Sequence, residues 1–315
     1  MILDGFALIH RVYHALPNLT TKTGVPSGAV YGFCSVLLKV IQKFNPDRIV
    51  AAFDEGTQPT FRKELAPQYH ANRPDKDQLM IDQINTIQEF LGSMKIRVYV
   101  CPGFEGDDII GTLASQLSQG RNEILVVTGD YDTFQLVNAQ TKVFTMRKGI
   151  SDTVLFDQAA VQEKYGFVPE LLVDYKALMG DPSDNYSGVS GIGPKTAQQL
   201  VQKFGTVENI YALIEKNRSA LPAKDFPSDL VQKKLSQGKA QAFLSKTLAR
   251  IRTDVPIRAD QVLKDARVEV TPEARAFFER MGFDSLLKRL EGNQASVQPR
   301  PRRKPLTPTA LRLFS

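Results

Sequence analysis

The sequence predicts an α/β fold, in which a parallel-rich central sheet is flanked by helices and a mainly helical second region follows. Short apolar runs that end near an acidic residue alternate with stretches whose apolar residues recur at helical spacing. A glycine-rich turn opens into a helix at 187–205 and marks the second region. The length of 315 residues suits roughly two domains.

The predicted strands deliver acidic residues to one edge of the sheet. The strands are residues 1–3, 48–53, 96–100 and 124–127, with a hairpin predicted from 142–146 and 154–156. Asp4, Asp54 and Asp130 each follow one of these runs. Open α/β sheets bind ligands at the carboxyl ends of their strands, so the three aspartates are expected to meet there.

The predicted helices surround this sheet. Apolar residues recur at helical spacing in 6–16, 27–44, 80–91, 109–117 and 170–180, and the chain from 206 to about 290 is also predicted to be helical. Glu105, Asp107 and Asp108 stand at the start of the helix that contains 109–117. Polar and basic residues interrupt the pattern at 55–77, which predicts an exposed loop or arch.

Composition limits the class of protein. Forty lysines and arginines against 34 aspartates and glutamates give a net charge of +6, which favours a polyanionic partner if many acids crowd one pocket. A soluble protein with a high isoelectric point and no special partner is the commoner outcome at this charge. Two cysteines without CxxC spacing and three histidines give no ligand set for zinc. The sequence has no signal-peptide pattern or apolar run of transmembrane length, so a cytoplasmic location is expected.

Acidic residues carry the clearest chemical signal. The candidate metal ligands are Asp4, Asp54, Glu105, Asp107, Asp108, Asp130, Asp132, Asp181 and Asp184. Like charges a few ångströms apart raise each other's pKa, so such a pocket stays ionised only around bound cations. Carboxylate oxygens select Mg²⁺ or Mn²⁺, and two such ions can activate water and stabilise the leaving oxygen of a phosphodiester. Helix capping or a solvated turn would explain any one of these acids alone, but not aspartates at successive strand ends.

Two further stretches suit a nucleic-acid backbone. Gly188, Gly191 and Gly193 permit close backbone approach, and the amides near Lys195 and Thr196 at the following helix start can bind phosphate. Taken alone, this stretch is as readily an ordinary packing turn between helices. In the arch-like segment, cations lie among aromatic residues, which suits single-stranded nucleic acid but also a solvated loop. They are Arg62, Lys63, His70, Arg73 and Lys76, with Phe61 and Tyr69.

The motifs in this chain resemble those of the 5′ nucleases, the family of flap endonucleases and of the 5′–3′ exonuclease domain of bacterial DNA polymerase I. In chain order they are DG at 4–5 followed by Arg11, AAFDEG at 51–56 with PTFR at 59–62, YHANR at 69–73, FEGDDIIG at 104–111, TGDYDTFQL at 128–136 and GDPSDNYSGVSGIGPKTA at 180–197. Each motif alone is weak, but the ordered set is specific and extends over residues 1 to about 290.

The resemblance implies a PIN-like nuclease core at 1–168 that includes a helical arch at 55–92, and a helix-hairpin-helix domain at 169–292 that grips duplex DNA. A proline-rich, basic tail at 293–315 is expected to be flexible. The resemblance assigns Asp4, Asp54, Glu105, Asp107 and Asp108 to a first metal ion. It assigns Asp130, Asp132, Asp181 and Asp184 to a second.

The resemblance also implies how DNA is bound and cut. Arg11 and Arg62 match phosphate-contacting residues, and the hairpin at 191–193 matches one that holds the duplex and can bind K⁺. Tyr69, His70 and Arg73 belong to the matching arch motif. The implied function is 5′–3′ exonuclease and 5′-flap endonuclease activity at junctions, with RNA primers as further substrates and a DNA polymerase acting in cis or in trans. A monomer is expected.

Several residues depart from the family pattern. His70 stands where the family usually has an arch lysine, and a neutral imidazole would neutralise the scissile phosphate poorly at pH 7. Arg73 is the residue that could compensate. Tyr131 and Ser187 also replace common family residues. They motivate an alternative hypothesis, a catalytically weakened DNA-binding protein that assists a polymerase. A ribonuclease of a related acid-cluster fold is a third hypothesis.

Overall fold

The structure, a computed structural model, describes residues 1–56, 58–73, 77–120, 122–148, 152–215, 227–265 and 270–294. Its centre is a six-stranded sheet in the order β3-β2-β1-β4-β5-β6. The strands are β1 (Ile2–Asp4), β2 (Val50–Ala52), β3 (Arg97–Tyr99), β4 (Ile124–Thr128), β5 (Thr141–Lys148) and β6 (Asp152–Phe156). All pairings are parallel except the antiparallel β5–β6 hairpin. The predicted strands and parallel-rich sheet are confirmed, and the turn of the hairpin at 149–151 lies outside the described residues.

The strand order creates a switch point beside β1, because β1 lies between β2 and β4. Asp4 is the register partner of Ala52, and Leu3 is the partner of Val127. Asp4 and the residues that follow β2 and β4 therefore emerge at the same edge of the sheet. A switch point of this kind is where open α/β sheets bind ligands.

Helices cover both faces of the sheet and form the second region. They are α1 (Gly5–Ala15), α2 (Gly28–Phe44), α3 (Phe61–Leu65), α4 (Gln78–Ser93), α5 (Gly106–Ser118), α6 (Gln158–Tyr165), α7 (Leu172–Met179), α8 (Pro194–Phe204), α9 (Val207–Glu215), α10 (Asp229–Gln237), α11 (Lys239–Ala249), α12 (Asp260–Asp265), α13 (Pro272–Met281) and α14 (Asp284–Gln294). Short 3₁₀ helices span Asp132–Leu136 and Pro169–Leu171. Over the described ranges, no helix is both long enough and apolar enough to cross a membrane.

Among the described residues, the two largest apolar clusters lie one on each face of the sheet. Alternate side chains of a strand point to opposite faces, so Ile2 joins one cluster and Leu3 joins the other. The cluster around Ile2 includes buried residues of α5 and of α7, α8, α9 and α11 in the second region. The second region therefore shares its core with the sheet, which fixes the turn after α7 relative to the strand ends.

The cluster around Leu3 contains residues from the end of the chain, which differs from the predicted domain limits. Phe277 and Phe278 of α13, and Leu286 and Leu290 of α14, pack with α1, α2 and α4 on that face of the sheet. The last two helices thus belong with the first core, although the prediction placed them in a domain at 169–292. Helix α14 also continues through Gln294, past the predicted start of the tail at 293. The rest of the predicted tail lies outside the described residues.

The position of helix α4 shortens the segment that can form the predicted arch. Its residues Met80, Ile87, Phe90 and Leu91 are buried against the same cluster, so α4 is a core helix and not part of an arch at 55–92. Within the described part of 55–77, Arg62, Ala66 and Tyr69 are buried and the other residues are exposed or half-buried, and an arch in this segment stays a prediction. This segment contains the short helix α3, while residues 57 and 74–76, including Lys76, lie outside the described residues.

Candidate metal centre

Asp4 ends β1 and begins α1, which fixes its carboxylate from two sides. Its Oδ1 caps α1 by accepting a hydrogen bond from the Ala7 amide at 3.0 Å, and its Oδ2 accepts one from Thr128 Oγ1 at 2.5 Å. Thr128 Oγ1 also accepts a hydrogen bond from the Asp130 amide at 2.9 Å. Thr128 therefore ties the end of β1 to the end of β4 and holds Asp4 near Asp130. Sequence reasoning missed this threonine, although it opens the TGDYD motif.

Helix α5 brings a second pair of acids to the same edge. Asp54 Oδ1, just beyond β2, accepts a hydrogen bond from the Gly106 amide at 2.7 Å. A Cβ at position 106 would lie 3.3 Å from that oxygen, so glycine permits the close approach. Glu105 is the N-cap of α5, and Asp107 lies in its first turn. The amino end of α5 therefore presents Asp107 beside Asp4 and Asp54.

Asp4, Asp54, Asp107 and Asp130 form the first acidic group. Burial, reinforced by the charges of Asp130 and Asp54, raises the pKa of Asp4 to about 7. Burial and the charges of Asp4, Asp130 and Asp54 raise the pKa of Asp107 well above its ordinary value. Within the described part of the chain, no lysine or arginine forms an ion pair with these four carboxylates. The group therefore needs a bound cation to be fully ionised at neutral pH.

Asp132, Asp181 and Asp184 form the second acidic group. Carboxylate oxygens of all three lie within 4.8 Å of one another. Asp132 begins the 3₁₀ helix after β4, whereas Asp181 and Asp184 lie in the turn after α7. Two main-chain hydrogen bonds between Asp181 and Tyr186, at 2.8 and 3.1 Å, close that turn. Burial, followed by the charge of Asp130, raises the pKa of Asp132 to about 7.

A lysine that sequence reasoning missed contacts the second acidic group. The Lys176 ammonium, on α7, forms ion pairs with the carboxylates of both Asp132 and Asp181. Its side chain is only 15% exposed. Burial alone would lower the pKa of Lys176, but the charges of Asp132 and Asp181 raise it above its ordinary value. The sequence did offer one indication of this contact, because Lys176 lies in the last turn of the helix that leads into the turn with Asp181 and Asp184.

Asp108 differs from the other acids, because both of its oxygens are engaged by protein groups. Arg62 Nη1 and Nη2 donate to Asp108 Oδ2 and Oδ1, each at 2.7 Å, and Asp108 is fully buried. The main-chain amides of Glu105 and Arg252 also donate to this carboxylate, at 3.1 and 2.8 Å. The implied role of Asp108 as a metal ligand is therefore corrected to that of a buried partner of Arg62.

The phosphate-contacting role implied for Arg62 is corrected in the same way. Arg62 is 2% exposed, and its Nε and Nη2 also donate to the carbonyls of Leu248 and Arg250, each at 2.8 Å. Its remaining contact is with Glu105 Oε2, at 3.1 Å from Nη1. A guanidinium with all of these partners inside the protein is not placed to contact a DNA phosphate. It instead joins α3, α5 and the end of α11.

The base of the arch packs on the turn after α7. His70 Nε2 and Arg73 Nη2 lie 3.2 and 2.7 Å from Asp184 Oδ1, and the His70 amide donates to the Asp184 carbonyl at 3.0 Å. Burial alone would raise the pKa of Asp184, but the His70 hydrogen bond and the charges of His70 and Arg73 lower it. Of the four arch residues predicted to contact DNA, Arg73 is exposed, with 45% of its side chain accessible, whereas His70 is half-buried and Arg62 and Tyr69 are buried.

Tyr69 is not the stacking surface that was expected. It is 4% exposed, and its hydroxyl donates to Glu105 Oε2 at 3.2 Å. The His70 ring stacks on the Tyr69 ring with centroids 3.8 Å apart. Tyr69 therefore supports Glu105 and His70 from inside the arch base and is corrected from a DNA contact to a packing residue.

The glycine hairpin combines a buried and an accessible part. Gly188 has a φ of +59° and is buried, and a Cβ there would lie 2.3 Å from the Gly180 nitrogen, so its role is in packing and its assignment as a DNA contact is corrected. Gly191, Gly193 and Lys195 are exposed, and Pro194 begins α8. Thr196 is half-buried. The exposed amides at the start of α8 can therefore reach a phosphate.

Arg11 lies on α1, the helix that Asp4 caps. It is half-buried, and its Nη2 lies 3.4 Å from the Met146 carbonyl at the end of β5. This weak contact leaves the phosphate-contacting role implied for Arg11 as a prediction.

Comparison with known proteins places this acid-lined sheet in a family. A family model described as 5′-3′ exonuclease, N-terminal resolvase-like domain, matches residues 1–166, and one described as 5′-3′ exonuclease, C-terminal SAM fold, matches residues 167–272. The chain belongs to the 5′–3′ exonuclease family. The 5′-3′ exonuclease of Buchnera aphidicola subsp. Acyrthosiphon pisum is 38% identical over 266 residues, which cover 84% of this chain and 90% of that protein.

Longer relatives of this exonuclease-family chain are polymerases. DNA polymerase I of Bacillus caldotenax is 36% identical over 313 residues, which cover 99% of this chain and 34% of the polymerase. DNA polymerase I of Bacillus subtilis is 36% identical over 298 residues, which cover 95% of this chain and 33% of the polymerase. The chain thus spans about a third of the length of these polymerases.

Solved structures of two nucleases share the exonuclease-family fold. T5 5′-exonuclease with bound divalent metal ions (zinc) aligns with a TM-score of 0.64 and 19% identity, covering 95% of this chain and 99% of that one. The catalytic core of Rad2 in complex with DNA substrate aligns with a TM-score of 0.57 and 17% identity, covering 95% and 92%. The predicted nuclease fold, with a helical second domain, is confirmed.

The donor atoms of the two acidic groups fit divalent metal ions. Both groups offer only carboxylate oxygens, which are the ligands that hard cations such as Mg²⁺ and Mn²⁺ prefer. The pKa values near 7 of Asp4 and Asp132 reflect acids crowded together out of water. A bound cation would reverse that shift, because it stabilises the ionised form.

Proposed function

We propose that this chain is a structure-specific 5′ nuclease, which hydrolyses DNA phosphodiesters at 5′ ends and in 5′ flaps near single-strand/duplex junctions. The proposal rests on one observation: the first and second acidic groups lie at one edge of the sheet. Their carboxylates come from β1, β2, β4, α5 and the turn after α7. Asp4, Asp54 and Asp130 each accept a hydrogen bond from an amide in the first turn of a different helix, but capping does not explain why the three meet Asp107 at one edge of the sheet.

Two divalent ions, Mg²⁺ or Mn²⁺, are proposed at this edge. The first acidic group would hold one ion and the second acidic group the other. When bound, such ions lower the pKa of an attacking water and stabilise the charge of the leaving oxygen. Asp130 lies between the groups, since the charges of Asp181 and Asp184 act on it as well as those of the first group. The chemistry needs no covalent intermediate on the protein.

Residues of the chain position the substrate strand around these ions. Glu105 accepts hydrogen bonds from Thr60 and Tyr69 and forms an ion pair with Arg62. These three arch residues hold its carboxylate in place. Arg73 is an exposed arch cation and lies beside the second acidic group through its ion pair with Asp184. We assign to Arg73 the contact with the phosphate that is cut, and to Arg11 a contact with a neighbouring phosphate.

The glycine hairpin is proposed to grip the duplex part of the substrate. Main-chain amides at the start of α8 would contact the backbone without reading base sequence. K⁺ is proposed at the same turn. The Gly191 carbonyl there accepts a hydrogen bond from Lys234 Nζ at 3.0 Å, so K⁺ bound to this carbonyl would take the place of the Lys234 ammonium.

The wider role is also a proposal. The polymerase relatives support joint action with a DNA polymerase in primer removal and repair, with RNA primers as further substrates. We propose that the chain acts as a monomer in the cytoplasm, where Cys34 and Cys101 stay reduced. Both cysteines are buried free thiols.

A labelled 5′-flap duplex tests the proposal. With Mg²⁺ the wild-type chain should shorten the labelled strand, and with EDTA it should bind the junction without cutting it. Asp107→Asn and Asp130→Asn should each reduce cleavage by about 10³-fold or more while leaving junction binding within about threefold. Binding without cleavage in Mg²⁺ would instead support the alternative, a catalytically weakened DNA-binding protein. Equal loss of binding and cleavage would show that the acids maintain the fold.

A further inference from the structure

Lys176 distinguishes the two acidic groups from each other. Its ammonium forms ion pairs with Asp132 and Asp181, two of the three carboxylates of the second acidic group. The third, Asp184, is paired with Arg73. Across the described residues, the first acidic group has no such ion pair. The protein therefore neutralises one of the groups internally and leaves the other to an external cation.

The Lys176 ammonium lies where a metal ion bound by Asp132 and Asp181 would lie. Its side chain is 15% exposed, and the carboxylates that it contacts are 13% and 10% exposed, so water screens these ion pairs weakly. An ammonium and a divalent ion cannot both occupy the space between the same two carboxylate oxygens. Binding of a metal ion by Asp132 and Asp181 therefore requires the Lys176 ammonium to move.

Tyr186 gives a second indication that this group is built to hold a ligand. It is 4% exposed, and its hydroxyl is buried without a hydrogen-bond partner among the described residues. Its main chain closes the turn that carries Asp181 and Asp184, so the unpaired hydroxyl belongs to the same turn as two of the three carboxylates.

We propose that Lys176 is an internal counter-ion that competes with the metal ion for the second acidic group. This inference rests on the proposed two-ion nuclease function. In the metal-free protein, Lys176 holds Asp132 and Asp181 together and keeps the turn after α7 in place. It also weakens binding of the second ion, so that the first acidic group fills at a lower metal concentration.

Metal titration of the DNA-free protein tests this proposal without measuring catalysis. Mn²⁺ binding is followed by calorimetry and by the electron paramagnetic resonance signal of free Mn²⁺, for wild type and for Lys176→Met. The methionine keeps an unbranched side chain but removes the charge. We expect two ions per chain, with the weaker Kd lowered about tenfold in Lys176→Met and the tighter Kd changed by less than about twofold. Lys176→Arg, which keeps the charge, should resemble wild type.

Lys246 supplies a matched control. It is a second buried lysine on the helical region, paired with Asp174 and Glu208, and neither of these acids belongs to the metal centre. Lys246→Met should also destabilise the protein, yet should leave both Mn²⁺ affinities unchanged. Thermal unfolding adds a second readout, because added Mn²⁺ should raise the Tm of Lys176→Met by more than that of wild type or Lys246→Met.

Three results would overturn the proposal. They are an unchanged or weaker second Kd in Lys176→Met, binding of a single ion by both proteins, and an equal change in Lys246→Met. If Lys176→Met does not fold, Lys176→Gln is titrated under the same criteria. Flap cleavage by wild type is scored separately, so failure of the proposed nuclease function would be seen as absent cleavage and not as an altered Mn²⁺ titration.

Discussion

Arg62 and Asp108 form a fully buried ion pair in which two guanidinium nitrogens each donate to one carboxylate oxygen at 2.7 Å. The pair links the base of the arch to the first turn of α5, which carries Asp107. Two main-chain carbonyls near the end of α11 and Glu105 Oε2 accept the other guanidinium hydrogens. Three parts of the molecule therefore depend on one arginine for their relative positions.

Removal of either partner should destabilise the protein strongly. We expect Arg62→Met and Asp108→Leu each to lower the free energy of unfolding by about 3–5 kcal/mol, because each leaves an uncompensated buried charge. Urea denaturation followed by circular dichroism measures the loss. The double variant should recover part of it, since no lone charge remains. Arg73→Gln is the control, and this exposed arginine should cost less than about 1 kcal/mol. A small loss in Arg62→Met together with weakened DNA binding would contradict the assignment.

The metal-free protein should lose stability as pH rises. Asp4 and Asp132 each have a pKa of about 7 in the folded chain, compared with the ordinary aspartate value of 3.8 in the unfolded chain. The folded state therefore binds more protons than the unfolded state between these values, so the free energy of unfolding falls across that window. The decline in EDTA should be at most about 4 kcal/mol for each group.

Thermal unfolding in EDTA and in Mg²⁺, from about pH 5 to about pH 8, measures this dependence. Mg²⁺ should restore stability mainly at the upper end, where the carboxylates are ionised. Asp4→Asn should flatten the EDTA profile, because the amide does not titrate. A stability in EDTA that rises steadily across the same range would contradict the expected sign.

The glycine hairpin should tolerate substitution at one glycine and not at another. Gly188→Ala places a Cβ 2.3 Å from the Gly180 nitrogen and 2.6 Å from the Leu178 carbonyl oxygen, at a φ of +59°. We expect a loss of about 2–4 kcal/mol in the free energy of unfolding. Gly193→Ala meets no atom within 4 Å and has a φ of −89°, so its stability should change by less than about 1 kcal/mol. Thermal denaturation of both variants would show the contrast, and equal losses would contradict it.

His70 should limit the rate of cleavage. His70→Lys restores a permanent positive charge beside Asp184, and we expect it to raise the single-turnover rate on a 5′ flap by up to about tenfold at pH 8. His70→Gln retains a donor without the charge and should not raise the rate. A rate that is unchanged in His70→Lys would mean that Arg73 already supplies the charge that the arch needs.

The sheet and the acidic edge could be predicted because they depend on local patterns. Apolar runs that end in Asp4, Asp54 and Asp130 need no knowledge of distant contacts to be placed at strand ends. The partners of Arg62 could not be found in this way, because Leu248 and Arg250 lie more than 180 residues along the chain. The resemblance implied a phosphate contact for Arg62, whereas the structure buries its guanidinium among partners inside the protein.

Other differences have the same cause. Lys176 and Asp132 meet only because the second region shares a core with the sheet, and periodicity within α7 does not reveal that contact. Periodicity did place a helix over α4, but it could not show that this helix packs against α13. Aromatic character in Tyr69 was read as a stacking surface, and only the fold shows that the ring is buried.

The packing of α13 and α14 on the face that carries α2 and α4 limits how far this chain can be shortened. The family match ends at residue 272, but Phe277, Phe278, Leu286 and Leu290 lie beyond it. A chain cut at the end of that match would expose the apolar side of α2 and α4 to water and would be prone to aggregation. A shortened form of this chain must therefore retain α13 and α14, that is, residues through 294.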